Sequence, residues 1–149
     1  MECDSCAIKQ LIYRYAQLLD AGDLEGVAGL FSHGRIVAAG QSGDALIEGA
    51  AGVLALYRSF TRLYDDDGTP HTLHLTSNVV VTTDADRAAA SAQSCAVVFQ
   101  AVQGFPLQPI IGVRYEDRFE NATSGWRFSE RRIDTRLTGD LSRHLLKDI

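Results

Sequence analysis

Apolar side chains recur at helical spacing in the first half of the chain. The clearest early stripe covers residues 8–19, and its members are Ile8, Leu11, Ile12, Tyr15, Ala16 and Leu19. Asp23 follows the break at "AGD" and is predicted to cap a short second helix that reaches Phe31. A third stripe spans residues 53–64, from Val53 to Tyr64. The pattern therefore predicts three helices, with a short strand at "GRIVAAG" and a loop at "DDDGTP".

The second half changes to the period of a β-strand. "HTLHLTSNVVVTTD" (71–84) is rich in β-branched residues, and "RAAASAQSCAVVFQAV" (87–102) is rich in Ala and Ser. "QPIIGVRYEDRFE" alternates clearly, and "NATSG" separates it from "WRFSERRIDTRL". Helices followed by such strands predict an α+β fold in which helices pack on one face of a curved antiparallel sheet.

Charged residues interrupt the apolar faces of the last two strands. Asp117 is in phase with Tyr115 and Phe119, whereas Glu130 and Arg132 are in phase with Trp126 and Phe128. A buried charge needs a partner or water. Two explanations are open: a structural ion pair between Asp117 and an arginine of the last strand, or polar groups in a hollow between sheet and helices. The small side chains of residues 87–102 favour such a hollow.

Composition excludes several classes of function. The chain has 149 residues, a net charge of −5, 46% apolar and 22% charged residues, and we interpret it as one domain, 1–149. Lys and Arg form no block, so we expect no nucleic-acid partner. No apolar run or signal core is present, so we expect a cytoplasmic protein without a membrane partner. "CDSC" is interpreted as two reduced thiols rather than a zinc or redox site, and no metal or cofactor is expected.

Three residues are candidates for proton chemistry. His74 on the strand "HLTSN", with Thr76 and Asn78 predicted on the same side, can take and return a proton near neutral pH. Asp20 lies at the edge of the first apolar face, where it could orient His74 and raise its basicity. Tyr15 is central in that face and could donate a hydrogen bond to a carbonyl oxygen. The ordinary alternatives are a core histidine, a turn aspartate and a core tyrosine.

A family resemblance connects these residues. "YRYAQLLDAGDLEGVAGLF", "HLTSNVVVTTDADRAAASA" and "GVRYEDRFENATSGWRFSERRI" together resemble the SnoaL-like branch of the NTF2-like superfamily. The resemblance implies a cone-shaped α+β roll around a deep apolar pocket, and dimers or trimers. Among catalytic members, bile-acid dehydratase is the most similar. The resemblance assigns its site residues to Tyr15, Asp20, His74 and an arginine of "ERR". Alternation from Trp126 favours Arg132, whereas a bulge and the family spacing favour Arg131.

The resemblance implies a cofactor-independent lyase. The expected reaction is dehydration of a hydrophobic hydroxy-carbonyl compound, aromatic, polyketide or steroid-like, by an Asp-oriented histidine base and a tyrosine donor. Isomerisation and retro-aldol cleavage begin with the same enolate and stay open. So do a non-catalytic subunit of a ring-hydroxylating dioxygenase and a small-molecule binding protein. Scytalone dehydratase fits less well, because Leu19 stands where that pattern has Tyr, and Gln93 and Cys95 stand in place of its second histidine.

Overall fold

A computed structural model describes residues 3–147 of the chain. The described part contains three α-helices and six β-strands, joined by turns and loops. The helices are α1 (Asp4–Asp20), α2 (Leu24–Gly29) and α3 (Gly49–Phe60). The strands are β1 (Arg35–Ala38), β2 (Ala45–Glu48), β3 (Thr72–Thr83), β4 (Ala89–Val102), β5 (Phe105–Ala122) and β6 (Gly125–Thr138). No helix within residues 3–147 is long and apolar enough to cross a membrane.

The predicted α+β fold is confirmed, with a curved, unclosed sheet in the order β2-β1-β6-β5-β4-β3. Strands β3 to β6 form the expected antiparallel meander. Two features were not predicted. Residues 45–48 form the additional strand β2, and β1 pairs in parallel with β6, so that Ile36 lies opposite Arg131.

The core lies between the helices and one face of the sheet. Ile8, Ile12 and Tyr15 of α1 are buried there, as the apolar stripe predicted. Helix α3 ends earlier than its stripe, because Thr61 is extended and bridges Leu145 near the C-terminus. Tyr64 therefore lies beyond the helix.

Strand β3 presents an unusual pattern to the core. Thr72, His74 and Thr76 face inward and are partly buried, whereas Leu73 and Leu75 are more than half exposed on the outer face. The strand has its polar side toward the helices and its apolar side toward the surface. This reversal of the usual arrangement places His74 under the C-terminal end of α1.

Candidate active site

Asp20 and His74 are in direct contact. The Asp20 carboxylate accepts hydrogen bonds from Thr72 Oγ1 at 2.8 Å, from the His74 backbone N–H at 2.8 Å and from His74 Nδ1 at 2.6 Å. Because a carboxylate only accepts, Nδ1 of His74 carries the proton. In the neutral ring Nε2 is then unprotonated and available to a ligand.

A glycine allows the chain to bring Asp20 to this position. Gly22 follows α1 with a φ of +74°, and a Cβ at this position would lie 2.1 Å from the carbonyl oxygen of Gly68. Only glycine tolerates both this φ and this approach. The end of α1 can therefore lie against the loop that leads into β3.

Burial makes the Asp20–His74 contact different from a surface pair. The two side chains are 18% and 7% exposed, respectively. Burial raises the pKa of Asp20, but the hydrogen bonds from His74 and Thr72 outweigh this effect and hold the pKa below its usual value. Asp20 is thus ionised at neutral pH and fixes the orientation of the ring.

Tyr15 belongs to a cluster of three tyrosines. Its hydroxyl hydrogen-bonds the hydroxyl of Tyr57, and its ring meets that of Tyr115 edge to face at 5.9 Å between centroids. Burial raises the pKa of all three phenols, so they stay protonated. Tyr57 and Tyr115 were predicted only as members of apolar faces; nothing in their spacing distinguishes them from core residues.

Arg131 lies beneath this cluster and is fully buried. Its Nε and Nη2 donate to the two carboxylate oxygens of Asp117, each at 2.8 Å. The guanidinium carbon lies 4.3 Å from the Tyr15 ring centroid and 3.9 Å from that of Tyr115. Burial lowers the pKa of Arg131, but Asp117 more than compensates and raises it. A permanent positive charge is therefore stacked on both rings.

A β-bulge explains why Arg131, rather than Arg132, occupies this place. Arg118 pairs with Glu130 but Phe119 pairs with Phe128, so Ser129 is the extra residue. Simple alternation from Trp126 is therefore wrong beyond Ser129. Arg132 lies on the outer face, where its Nη2 donates to Asp44 at 3.1 Å.

A cavity of about 1110 Å³ opens beside the tyrosines and His74. The helices contribute Tyr15 and Tyr57 to its polar lining, and the sheet contributes His74, Tyr115, Thr135 and Thr138. The apolar walls come from both layers: Leu19, Leu56, Phe60, Val98, Ile111, Val113 and Ile133. Arg131 does not contribute to this lining, so it reaches the cavity only through the tyrosines.

His144 was not predicted as part of the site. It follows the last strand, in a segment without periodicity. The structure places it in the cavity wall, 8% exposed. No pattern along the chain could have indicated this position.

Asn78 and His71 lie away from the cavity. The register of β3 shifts between Ser77 and Val80, and Asn78 adopts a φ of +55° and is exposed, so the prediction that it shares a side with His74 is wrong.

His71 lies in the loop before β3 with Asp66 and Asp67, and their ligand atoms approach within 4.8 Å of one another. This is the group among residues 3–147 that could hold a metal ion, but two of its members are exposed carboxylates.

Comparison with known proteins identifies the family. The sequence model that describes the SnoaL-like domain family matches residues 3–132 of this chain. The chain belongs to the SnoaL-like family. No curated protein sequence matches this SnoaL-like chain at a significant level.

Solved structures share the fold at low identity. An NTF2-like protein with a cystatin-like fold from Novosphingobium aromaticivorans is 24% identical, with a TM-score of 0.72 over 94% of this chain and 86% of that one. A proposed scytalone dehydratase from the same organism is 21% identical, with a TM-score of 0.68 over 91% and 85% of the chains. The β subunit of a proposed aromatic-ring-hydroxylating dioxygenase from that organism is 19% identical, with a TM-score of 0.68 over 94% of each chain. These relations establish the fold of the SnoaL-like chain.

Proposed function

We propose that this SnoaL-like protein is a cofactor-independent lyase that removes water from a hydrophobic β-hydroxy carbonyl compound. The observation that carries the proposal is the buried Asp20–His74 hydrogen bond of 2.6 Å at the wall of a mostly apolar cavity. A surface histidine would not need such a partner. A base in a cavity needs one, because the carboxylate stabilises the imidazolium that forms during catalysis.

The first step is removal of the proton next to the carbonyl. His74 Nε2 accepts this proton, and the electron pair of the broken C–H bond moves onto the carbonyl oxygen to form an enolate. Tyr15 and Tyr57 line the same cavity and are protonated, so a phenol can donate to the oxygen as its charge develops. Donors fixed before the reaction are an effective way to stabilise such a charge.

The second step is loss of the hydroxyl group. The enolate electrons form the new C=C bond while the C–O bond breaks, and the His74 imidazolium gives its proton to the departing oxygen. Water leaves and His74 returns to its neutral form, so no external acid or oxidant is required. One histidine can serve as base and then as acid because the proton that it gains in the first step is the proton that it gives up in the second.

Arg131 is a positioning residue in this scheme. It contacts the tyrosine rings and not the cavity, and Asp117 fixes its guanidinium by two hydrogen bonds. A cation stacked on a phenol ring favours negative charge at the phenol oxygen. Arg131 thereby strengthens Tyr15 as a donor and holds its ring in place.

The rival interpretation is a non-catalytic subunit, as the name of the dioxygenase β-subunit neighbour suggests. Such a role needs no oriented base, so the buried Asp20–His74 pair favours the enzyme. Self-association into dimers or trimers is compatible with both functions. The exposed Leu73, Leu75 and Val80 of the edge strand β3 support it.

The aldol of acetone and benzaldehyde provides a direct test. Loss of water converts it into an aromatic enone whose strong ultraviolet absorbance reports the rate. We expect His74→Ala to lower that rate by about a hundredfold or more. His33→Ala, at an exposed histidine, is the matched control and should keep full activity. Full activity in the His74→Ala protein would overturn the mechanism.

A further inference from the structure

The C-terminal segment, residues 139–147, forms one wall of the cavity and is fixed by several elements. Gly139 N donates to Ile110 O at 2.8 Å, and Leu146 N donates to Phe60 O at 2.8 Å. The side chain of Gln100 on β4 donates to Arg143 O at 2.9 Å. The segment is therefore attached to β5, to the end of α3 and to β4, and its side chains have defined positions.

His144 is held from the backbone on both sides while its ring is left without a partner at Nδ1. His144 N donates to Leu141 O at 3.0 Å, and Arg62 N donates to His144 O at 2.9 Å. The side chain is more than nine-tenths buried, yet Nδ1 has no hydrogen-bond partner among residues 3–147. Polar atoms inside proteins are nearly always paired. Because Nδ1 has almost no accessible surface, a ligand in the cavity can approach the polar edge of this ring only at Nε2.

The surroundings of His144 keep its ring neutral. Burial lowers its pKa to about 4, nearby His74 acts in the same direction, and Asp20 opposes them. Lys147 and Asp140 are the charged residues on the same wall of the cavity. A neutral imidazole is a poor proton donor, but it forms good hydrogen bonds to a hydroxyl group.

We propose that His144 is a substrate-binding residue, and that its imidazole hydrogen-bonds the hydroxyl group that leaves. The inference rests on the proposed function and adds which polar group of the substrate is recognised at the C-terminal wall. His144 and His74 line one cavity, so a hydroxyl bound at His144 lies in the same space as the histidine that protonates it. His144 itself neither gains nor loses a proton, so the proton balance of the reaction is unchanged.

Two ketones that differ by one hydroxyl group test this role. The first is the adduct that joins benzaldehyde to the branched carbon of methyl isopropyl ketone. The carbon atom between its carbonyl and its hydroxyl-bearing carbon carries no hydrogen, so the compound cannot lose water by the proposed route. The second is the same ketone with hydrogen in place of the hydroxyl. We expect the wild-type protein to bind the hydroxy ketone about tenfold more tightly, the usual value of one hydrogen bond.

His144→Phe should bind the two ketones equally, whereas His33→Phe should keep the tenfold preference. A second measurement does not depend on the folding of a variant. In histidine-labelled wild-type protein, the NMR signals of the His144 ring should shift more when the hydroxy ketone binds than when the ketone without the hydroxyl group binds. A tenfold preference that survives in His144→Phe, or ring signals that respond equally, would overturn the inference.

The outcomes separate this inference from the proposed function. Dehydration of the acetone–benzaldehyde aldol with no preference between the two ketones would overturn the role of His144 alone. A His74→Ala protein that retains full dehydration would overturn the mechanism even if the hydroxyl preference is found. Failure of the wild-type protein to bind either ketone counts against His144 as a hydroxyl-binding residue.

Discussion

His71 and His74 are three residues apart, and each ring hydrogen-bonds an aspartate. The His74 side chain lines the cavity, is 7% exposed and uses Nδ1 to bind Asp20, which leaves Nε2 unprotonated in the neutral ring. The His71 ring uses Nε2 to bind Asp66 at 2.9 Å, and the Asp66 side chain is 65% exposed. The His71 side chain is 23% exposed, and Asp66 raises its pKa, so this pair stabilises a charged ring that water can reach.

The difference shows that a histidine–aspartate contact alone does not make a site. Water screens a surface pair, which contributes at most about 1 kcal/mol. A buried pair fixes the tautomer and the direction of the free nitrogen. The same contrast applies to Arg131 with Asp117, fully buried, and Arg132 with Asp44, partly exposed.

The largest expected effect on stability comes from the buried arginine pair. Arg131→Met should lower the free energy of unfolding by about 3–5 kcal/mol, because Asp117 is left as an uncompensated buried charge. Arg132→Met should cost much less, because water screens its pair with Asp44. Urea unfolding of both proteins measures the difference. Equal losses would contradict the contrast, and joint replacement of Arg131 and Asp117 by apolar residues should restore much of the stability.

The next effect concerns the pH dependence of stability. The unfolded chain binds a proton at His144 near its ordinary pKa of 6.5, whereas the folded protein does so only near 4. The free energy of unfolding therefore decreases by about 3 kcal/mol in total as the pH falls from about 6.5 to about 4. Above this window the contribution is constant.

His144→Phe should remove this acid-dependent loss. Urea unfolding at about pH 7 and about pH 4 should show a smaller loss in His144→Phe than in the wild-type protein. His33→Phe, at an exposed position, should behave as the wild type. The same loss in both variants would show that His144 is not the buried neutral ring described here.

A smaller effect, on activity, tests the carboxylate that orients the base. Asp20→Asn keeps the size of the side chain but loses the charge, so His74 is no longer held with its proton on Nδ1. We expect the rate of dehydration of the acetone–benzaldehyde aldol to fall by about a hundredfold. Asp66→Asn provides the surface comparison and should change the rate by less than about twofold. A comparable rate in both variants would remove the distinction between the two pairs.

The smallest effect is at His71. Asp66→Asn should lower the pKa of His71 toward its ordinary value of 6.5, because the hydrogen bond to the Asp66 carboxylate is the largest cause of the raised pKa. An NMR titration of the ring signals measures this change. An unchanged pKa would mean that Asp67, whose oxygen lies 3.3 Å from His71 Nε2, is sufficient by itself.

Some of this arrangement was predictable from local patterns. The apolar stripe of α1 placed Tyr15 inward and Asp20 at its edge, and alternation along β3 placed Thr76 beside His74. These positions suggested the pairing of Asp20 with His74, and the family resemblance supported it. Asp117 was recognised as an inward charge because its strand keeps a regular period to that point.

The rest depended on features without a local signal. The bulge at Ser129 exchanges the directions of Arg131 and Arg132, and nothing in "FSERRI" specifies it. The parallel pairing of β1 with β6 joins residues far apart in the chain. Tyr57 has the spacing of a core residue, and His144 depends on how the C-terminal segment attaches to Gln100 and the end of α3.

The central claim is that Asp20 holds the neutral His74 ring with its proton on Nδ1 and leaves Nε2 free as the base. ¹⁵N NMR of histidine-labelled protein, at a pH where the His74 ring is neutral, distinguishes the two tautomers without a substrate. We expect a protonated Nδ1 and an unprotonated Nε2 for His74 in the wild type, and a mixture of tautomers in Asp20→Asn. A wild-type His74 protonated at Nε2 would contradict the account.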